Sequence, residues 1–129
     1  MISPAPSRVV IEVRIHTRGS LNARGSWQAR WRRTKKERAA THGAIQLYQL
    51  SGGEFRSLPR LPVRVHIVRV SPGHRPVDSD NLPGYSKGVR DQIAAYYGVD
   101  DGPSGPISWS YAAERGPSHL VRVEIEARG

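Results

Sequence analysis

Residues 63–70 read Val63-Arg64-Val65-His66-Ile67-Val68-Arg69-Val70, and Ser71-Pro72-Gly73 follows. Val63, Val65 and Ile67 alternate with Arg64 and His66, the period of a strand with one buried face. The Ser-Pro-Gly break ends it. Next come Asp78-Ser79-Asp80-Asn81 and a helix-compatible run from Leu82 or Pro83 to Tyr97, closed by Gly98. A strand, a loop and a helix in this order are the building unit of a sheet with helices packed on it.

Working outward, residues 27–50 contain few breakers besides Gly43 and many helix formers. A long helix from Trp27 to Leu50 is predicted, ended by Ser51-Gly52-Gly53. Ahead of it, Val9, Ile11, Val13 and Ile15 alternate within Arg8–His16, predicting a first strand. Ile107, Trp109 and Tyr111 mark a third strand. Val121, Val123 and Ile125, alternating with Arg122, Glu124 and Glu126, mark a fourth. Glu114 to Ser118, with Gly116-Pro117, has the composition of a hairpin turn. The expected fold is α+β: a single domain over residues 1–129, in βαβαββ order, with a small mixed β-sheet packed with two helices.

The chain carries 20 Lys and Arg against 11 Asp and Glu, a net charge of +9. That imbalance favours a polyanionic partner, nucleic acid before an acidic protein or membrane surface. The absence of cysteine excludes disulfides, thiolate metal sites and a thiol nucleophile. It fits a reducing cytoplasm. No apolar run approaches the roughly 20 residues of a membrane span, and Met1-Ile2-Ser3-Pro4-Ala5-Pro6 lacks the apolar centre of a secretion signal. No membrane role is expected.

All five aspartates fall between Asp78 and Asp101. Asp78 and Asp80, two apart, point to one side of an extended chain. Like charges so close repel unless a cation sits between them. Oxygen-only ligands suit Mg²⁺, or Mn²⁺ in its place. Asp100-Asp101-Gly102 offers a third carboxylate, with Asp101 the favoured ligand. A helix of about 16 residues spans some 24 Å, so the Gly98–Gly102 loop or the next strand must carry that carboxylate back. The structural alternatives are ordinary: Asp80 or Asn81 as a helix N-cap, and Asp100-Asp101-Gly102 as a turn. Lys87 either pairs with Asp91 four residues on or offsets charge on a scissile phosphate.

From Arg24 to Arg38 the chain holds Arg24, Arg30, Arg32, Arg33, Lys35, Lys36 and Arg38 against one acid, Glu37. A solvated helix face normally mixes signs, whereas phosphate binding needs one sign. Arg30, Arg32, Arg33, Lys35 and Lys36 on the helix, with Asn22 and Arg24 in the loop before it, are the candidate DNA-binding residues. Trp27 and Trp31 share one helix face, for which core packing is the expectation.

Together these residues resemble the RusA-type Holliday junction resolvases, especially those of phages and prophages. The similarity runs from about Leu21 to the C-terminus. It comprises Leu21-Asn22-Ala23-Arg24 with a following Trp and basic helix, Asp78-Ser79-Asp80-Asn81-Leu82, Lys87, Arg90-Asp91, Gly98-Val99-Asp100-Asp101 and a final pair of strands. The resemblance implies a Mg²⁺-dependent endodeoxyribonuclease of DNA recombination and repair, with no small-molecule cofactor. It would work as a homodimer on four-way junctions, making paired nicks, in the cytoplasm of a bacterial or phage-infected cell. It implies metal-holding catalytic roles for Asp78, Asp80 and Asp101, and a catalytic role for Lys87. One departure stands out: Lys87 is seven residues after Asp80, where the best-known form of the family has its lysine one helical turn on. Two rival classes remain: a basic module that binds branched DNA without cutting it, and an adaptor for acidic proteins.

Overall fold

Thirteen of the fourteen residues in the central apolar cluster are valine or isoleucine, Leu58 being the other. Branching at Cβ stiffens these side chains and suits them to a pleated surface. The computed structural model describes residues 5–17, 27–73, 82–100, 102 and 104–128, with Arg30 described by its backbone alone. Strand β1 spans Arg8–Val13, helix α1 Trp27–Leu50, β2 Val63–Ser71, α2 Leu82–Tyr85, α3 Lys87–Tyr97, β3 Ile107–Arg115 and β4 Leu120–Ala127. A 3₁₀ turn at Ser51–Gly53 follows α1. The order is the predicted βαβαββ, with the second helix in two pieces.

The sheet order is β1-β4-β2-β3. β4 is antiparallel to both β1 and β2, while β2 and β3 are parallel. β1, β2 and β3 therefore point one way and β4 the other, so the sheet is mixed. The register aligns Val9, Ile11 and Val13 with Ile125, Val123 and Val121, and these with Val65, Ile67 and Arg69. Ile45 of α1 and Val89 and Ile93 of α3 join the same cluster, so both helices cover one face. Each buried Val or Ile contributes about 1.5–3 kcal/mol relative to its exposed state.

Helices α1 and α3 run parallel. Going up both, Gly88 lies against Thr34 and Glu37, Arg38 Nε donates to Gln92 Oε1 at 3.3 Å, and Gln49 Nε2 donates to Tyr96 Oη at 2.9 Å. A Cβ at Gly88 would stand 2.5 Å from the Glu37 side chain and 3.0 Å from the Thr34 carbonyl oxygen. Glycine there lets the helices close up.

Three expectations need correction. The first strand ends at Val13 rather than His16, because the Ile15 N–H bonds back to the Val13 carbonyl at 2.9 Å and bends the chain as a γ-turn does. The single second helix is interrupted at Ser86, although Ser86 N–H still reaches the Leu82 carbonyl (3.1 Å) and Arg90 N–H the Ser86 carbonyl (2.8 Å). Finally, residues 116–119 do not make a hairpin of β3 and β4, because β2 lies between those strands. The connection crosses the end of β2, where Gly116 N–H donates to the Ser71 carbonyl at 3.1 Å. Strands are about 4.8 Å apart, so five extended peptide steps suffice for the crossing.

Candidate functional site

In sheets with parallel strands joined by helices, ligands gather outside the carboxyl ends of the strands. Here that end collects Thr17 after β1, Gly73 after β2, and the starts of α2 and α3. Asp78 and Asp80 lie outside the described residues, but Gly73 and Leu82, which flank them in sequence, stand at this end. Asn22 and Arg24 also lie outside the described residues, between Thr17 and Trp27. Arg69 ties the surrounding segments together: its Nε and Nη2 donate to the Thr17 hydroxyl and carbonyl, each at 3.2 Å, and its guanidinium lies 4.4 Å from the Tyr85 ring centroid. Its place within the second strand was legible in the sequence, but its bridging role was not.

Helix α1 brings its amino half to the same end. Arg32, Lys35, Lys36 and Arg38 are exposed and Arg33 is half-buried. Among the described residues none of these five is in an ion pair. Glu37, the acid in their midst, is 5% exposed and faces Gly88 of α3. With the acid turned inward, the outward face is cationic throughout. Arg30 has no described side chain. Lys87, the first residue of α3, is exposed, with its Nζ 3.9 Å from an Asp91 carboxylate oxygen. The expected pair with Asp91 is present, at the same end as Leu82.

The second acidic segment is anchored elsewhere. Asp101 lies outside the described residues, and Asp100 and Gly102, which bracket it, line a cleft with Gly98, Val99 and Pro106. The Pro106 carbonyl accepts from Val63 N–H at 3.0 Å, which puts this cleft at the amino end of β2. Nine residues of strand, roughly 30 Å, separate it from the Gly73 end. Among the described residues, Gly73, Leu82, Lys87 and the α1 cations thus stand at one end, and Asp100 and Gly102 at the other. No group of three or more His, Cys, Asp or Glu suited to a metal occurs among the described residues.

The tryptophans overturn their expectation of core packing. Trp27 is 66% exposed and Trp31 57% exposed, whereas Ile45 is buried. Trp27 is 18 residues, five full turns, before Ile45 and so points the same way. Its exposure has a longitudinal cause: α3 begins at the level of Thr34 and Glu37, so α1 projects about two turns past its covering helix. Among the described residues no helix is long and apolar enough to cross a membrane. Comparison with protein-family models, curated proteins and solved structures gives no match.

Proposed function

We propose that the chain is a Mg²⁺-dependent, structure-selective endodeoxyribonuclease that cuts branched DNA in the cytoplasm, with the four-way junction as its substrate. The observation that carries this reading is the pile-up of cations outside ion pairs, Arg32, Arg33, Lys35 and Lys36, at the sheet end where β2 finishes and α2 begins, the two elements that flank Asp78 and Asp80 in sequence. With Glu37 buried against α3, the outward face of α1 draws a polyanion. Backbone contacts of this kind hold shape rather than sequence.

Asp78 and Asp80 would hold the metal, since paired carboxylates are the donors it takes. Bound there, Mg²⁺ supplies Lewis acidity to the phosphate and to its attacking water. The α1 cations position the arms, and Lys87 adds positive charge beside the phosphate. A two-fold homodimer matches the near-two-fold symmetry of a junction and makes two nicks in one encounter. Asp101 keeps its metal role in this reading, with its carboxylate supplied from the loop between Asp100 and Gly102.

The anchoring of that loop at the opposite end favours the alternative of a non-catalytic module for branched DNA. One experiment separates the two. Labelled four-way junction, flap and plain duplex are incubated with the protein and Mg²⁺, Ca²⁺ or EDTA. The endonuclease nicks the junction with Mg²⁺ alone and leaves the duplex whole. Binding without nicking in all three conditions selects the module.

A further inference from the structure

Two tryptophans left more than half exposed forgo substantial apolar burial. They lie on a helix whose outward charges all have one sign. Trp31 carries the Lys35 ammonium 4.9 Å from its ring centroid. From it a groove between α1 and α3 runs past Thr34, Lys35, Arg38, His42 and Gln92. Aromatic faces alternating with cations are the pattern that binds unpaired nucleic acid, with bases stacked on rings and phosphates held by the charges.

We propose that the outward face of the amino half of α1 is a base-stacking platform for unpaired DNA at a branch point. This rests on the DNA reading above and narrows it to substrates with exposed bases. Trp27 and Trp31 are four residues, about 6 Å, apart along the helix axis. That exceeds the 3.4 Å rise of each duplex strand, so the rings accept splayed bases and not an intact stack. Lys35 and Arg38 lie one and two turns beyond Trp31, placed for the phosphates that follow. A second copy of the chain is a poorer occupant, because a two-fold contact here sets Lys35 and Arg38 against their own like charges. The uncharged trio Leu47, Leu50 and Phe55, 74%, 70% and 61% exposed, suits a second copy better.

The test follows binding of an oligo-dT strand and of a blunt duplex of equal length to the full chain, at one salt concentration, by anisotropy of labelled DNA. Trp31→Ala is expected to weaken oligo-dT binding by about 5- to 150-fold, the range for losing one stacked base. Duplex affinity should change less than about twofold. Trp31→Phe should restore most of the loss, which a role in folding alone would not explain. Unchanged oligo-dT affinity in Trp31→Ala, or equal loss on both DNAs, overturns the platform. So does a drop in sedimenting mass without selective loss of oligo-dT binding, which would make the face a contact between copies. Junction nicking by the wild type is scored in parallel. No nicking, with selective oligo-dT loss in the variant, defeats the nuclease reading alone; nicking with unchanged oligo-dT affinity defeats the platform alone.

Discussion

The amino half of α1 and the open face of the sheet are both rich in arginine, yet they differ in what the arginines do. On the sheet, Arg122 grips Glu114 through Nη1 and Nη2 at 3.0 and 2.7 Å and reaches Glu124 through Nε at 3.1 Å. Arg8 holds the other Glu124 oxygen at 2.9 Å. On α1, Arg32, Arg33, Lys35, Lys36 and Arg38 have no such partners among the described residues, and the neighbouring acid, Glu37, faces α3. An arginine engaged by carboxylates has little attraction left for a phosphate. The count of basic residues therefore says less about DNA than where the acids point.

The sharpest way to break this contrast is to remove one acid assigned to the metal and one acid from the sheet face. Asp80→Asn is expected to reduce junction nicking at least about 10²-fold, as loss of one charge-stabilising group at a reacting centre does. Junction binding should hold or tighten, because a charge that repels phosphate is gone while the volume is kept. Glu124→Gln, on the sheet, should leave nicking within about twofold, as surface changes away from a site do. Gel assays of nicking and binding on one junction check both. Equal loss of binding and nicking in folded Asp80→Asn would remove Asp80 from the metal site.

A smaller effect sharpens the same comparison through salt. Changing Arg32, Arg33, Lys35 and Lys36 together to Gln should weaken binding to all DNA sequences alike. The slope of log affinity against log salt should fall by up to about 0.9 for each duplex phosphate that the protein no longer neutralises. Arg8→Gln with Arg122→Gln should leave the slope unchanged, since those side chains release no phosphate counterions. A slope that moves with the sheet pair, and not with the α1 set, would turn the DNA surface over to the opposite face.

The two regions also differ in how far the sequence foretold them. The bounds of α1 were legible because 27–50 lacks breakers and Gly52 and Gly53 both take φ of +81°, a conformation that glycine enters without strain. The buried rows of β2 and β4 were legible from alternation. The partner of β4 was not, because alternation marks a buried face without naming the neighbouring strand. The charge run on α1 was readable, but the inward turn of Glu37 depends on Gly88 packing from another helix. Exposure of Trp27 and Trp31 likewise depends on where α3 begins, which the helical period of α1 cannot encode. The aspartates were readable as a group only in sequence. Helices α2 and α3, which lie between the two acidic segments, carry the described anchors to opposite ends of the sheet.

The smallest expected effect is a pH dependence confined to the sheet face. Hydrogen bonds from Arg122 hold the Glu114 carboxyl below its ordinary value of 4.5. Arg122, with Arg8 adding to it, does the same for Glu124. A carboxylate whose pKa is lower in the folded than in the unfolded chain stabilises the fold at pH values above the unfolded pKa. That contribution disappears as pH falls through the folded value. Unfolding temperature should therefore begin to drop below about pH 4.5, and Glu114→Gln should flatten that part of the profile. The change should be modest because the pair is exposed to solvent and screened by salt. At pH 7 the variant should bind junction DNA with the wild-type salt slope, since Glu114 belongs to the face assigned no role in holding phosphate. Calorimetric melts from pH 3 to pH 7, with and without 0.5 M salt, read the first effect. If wild type and Glu114→Gln lose stability in parallel through the acid range, the Arg122 pairs add nothing to folding, and the neutrality of the sheet face has to come from charge count alone.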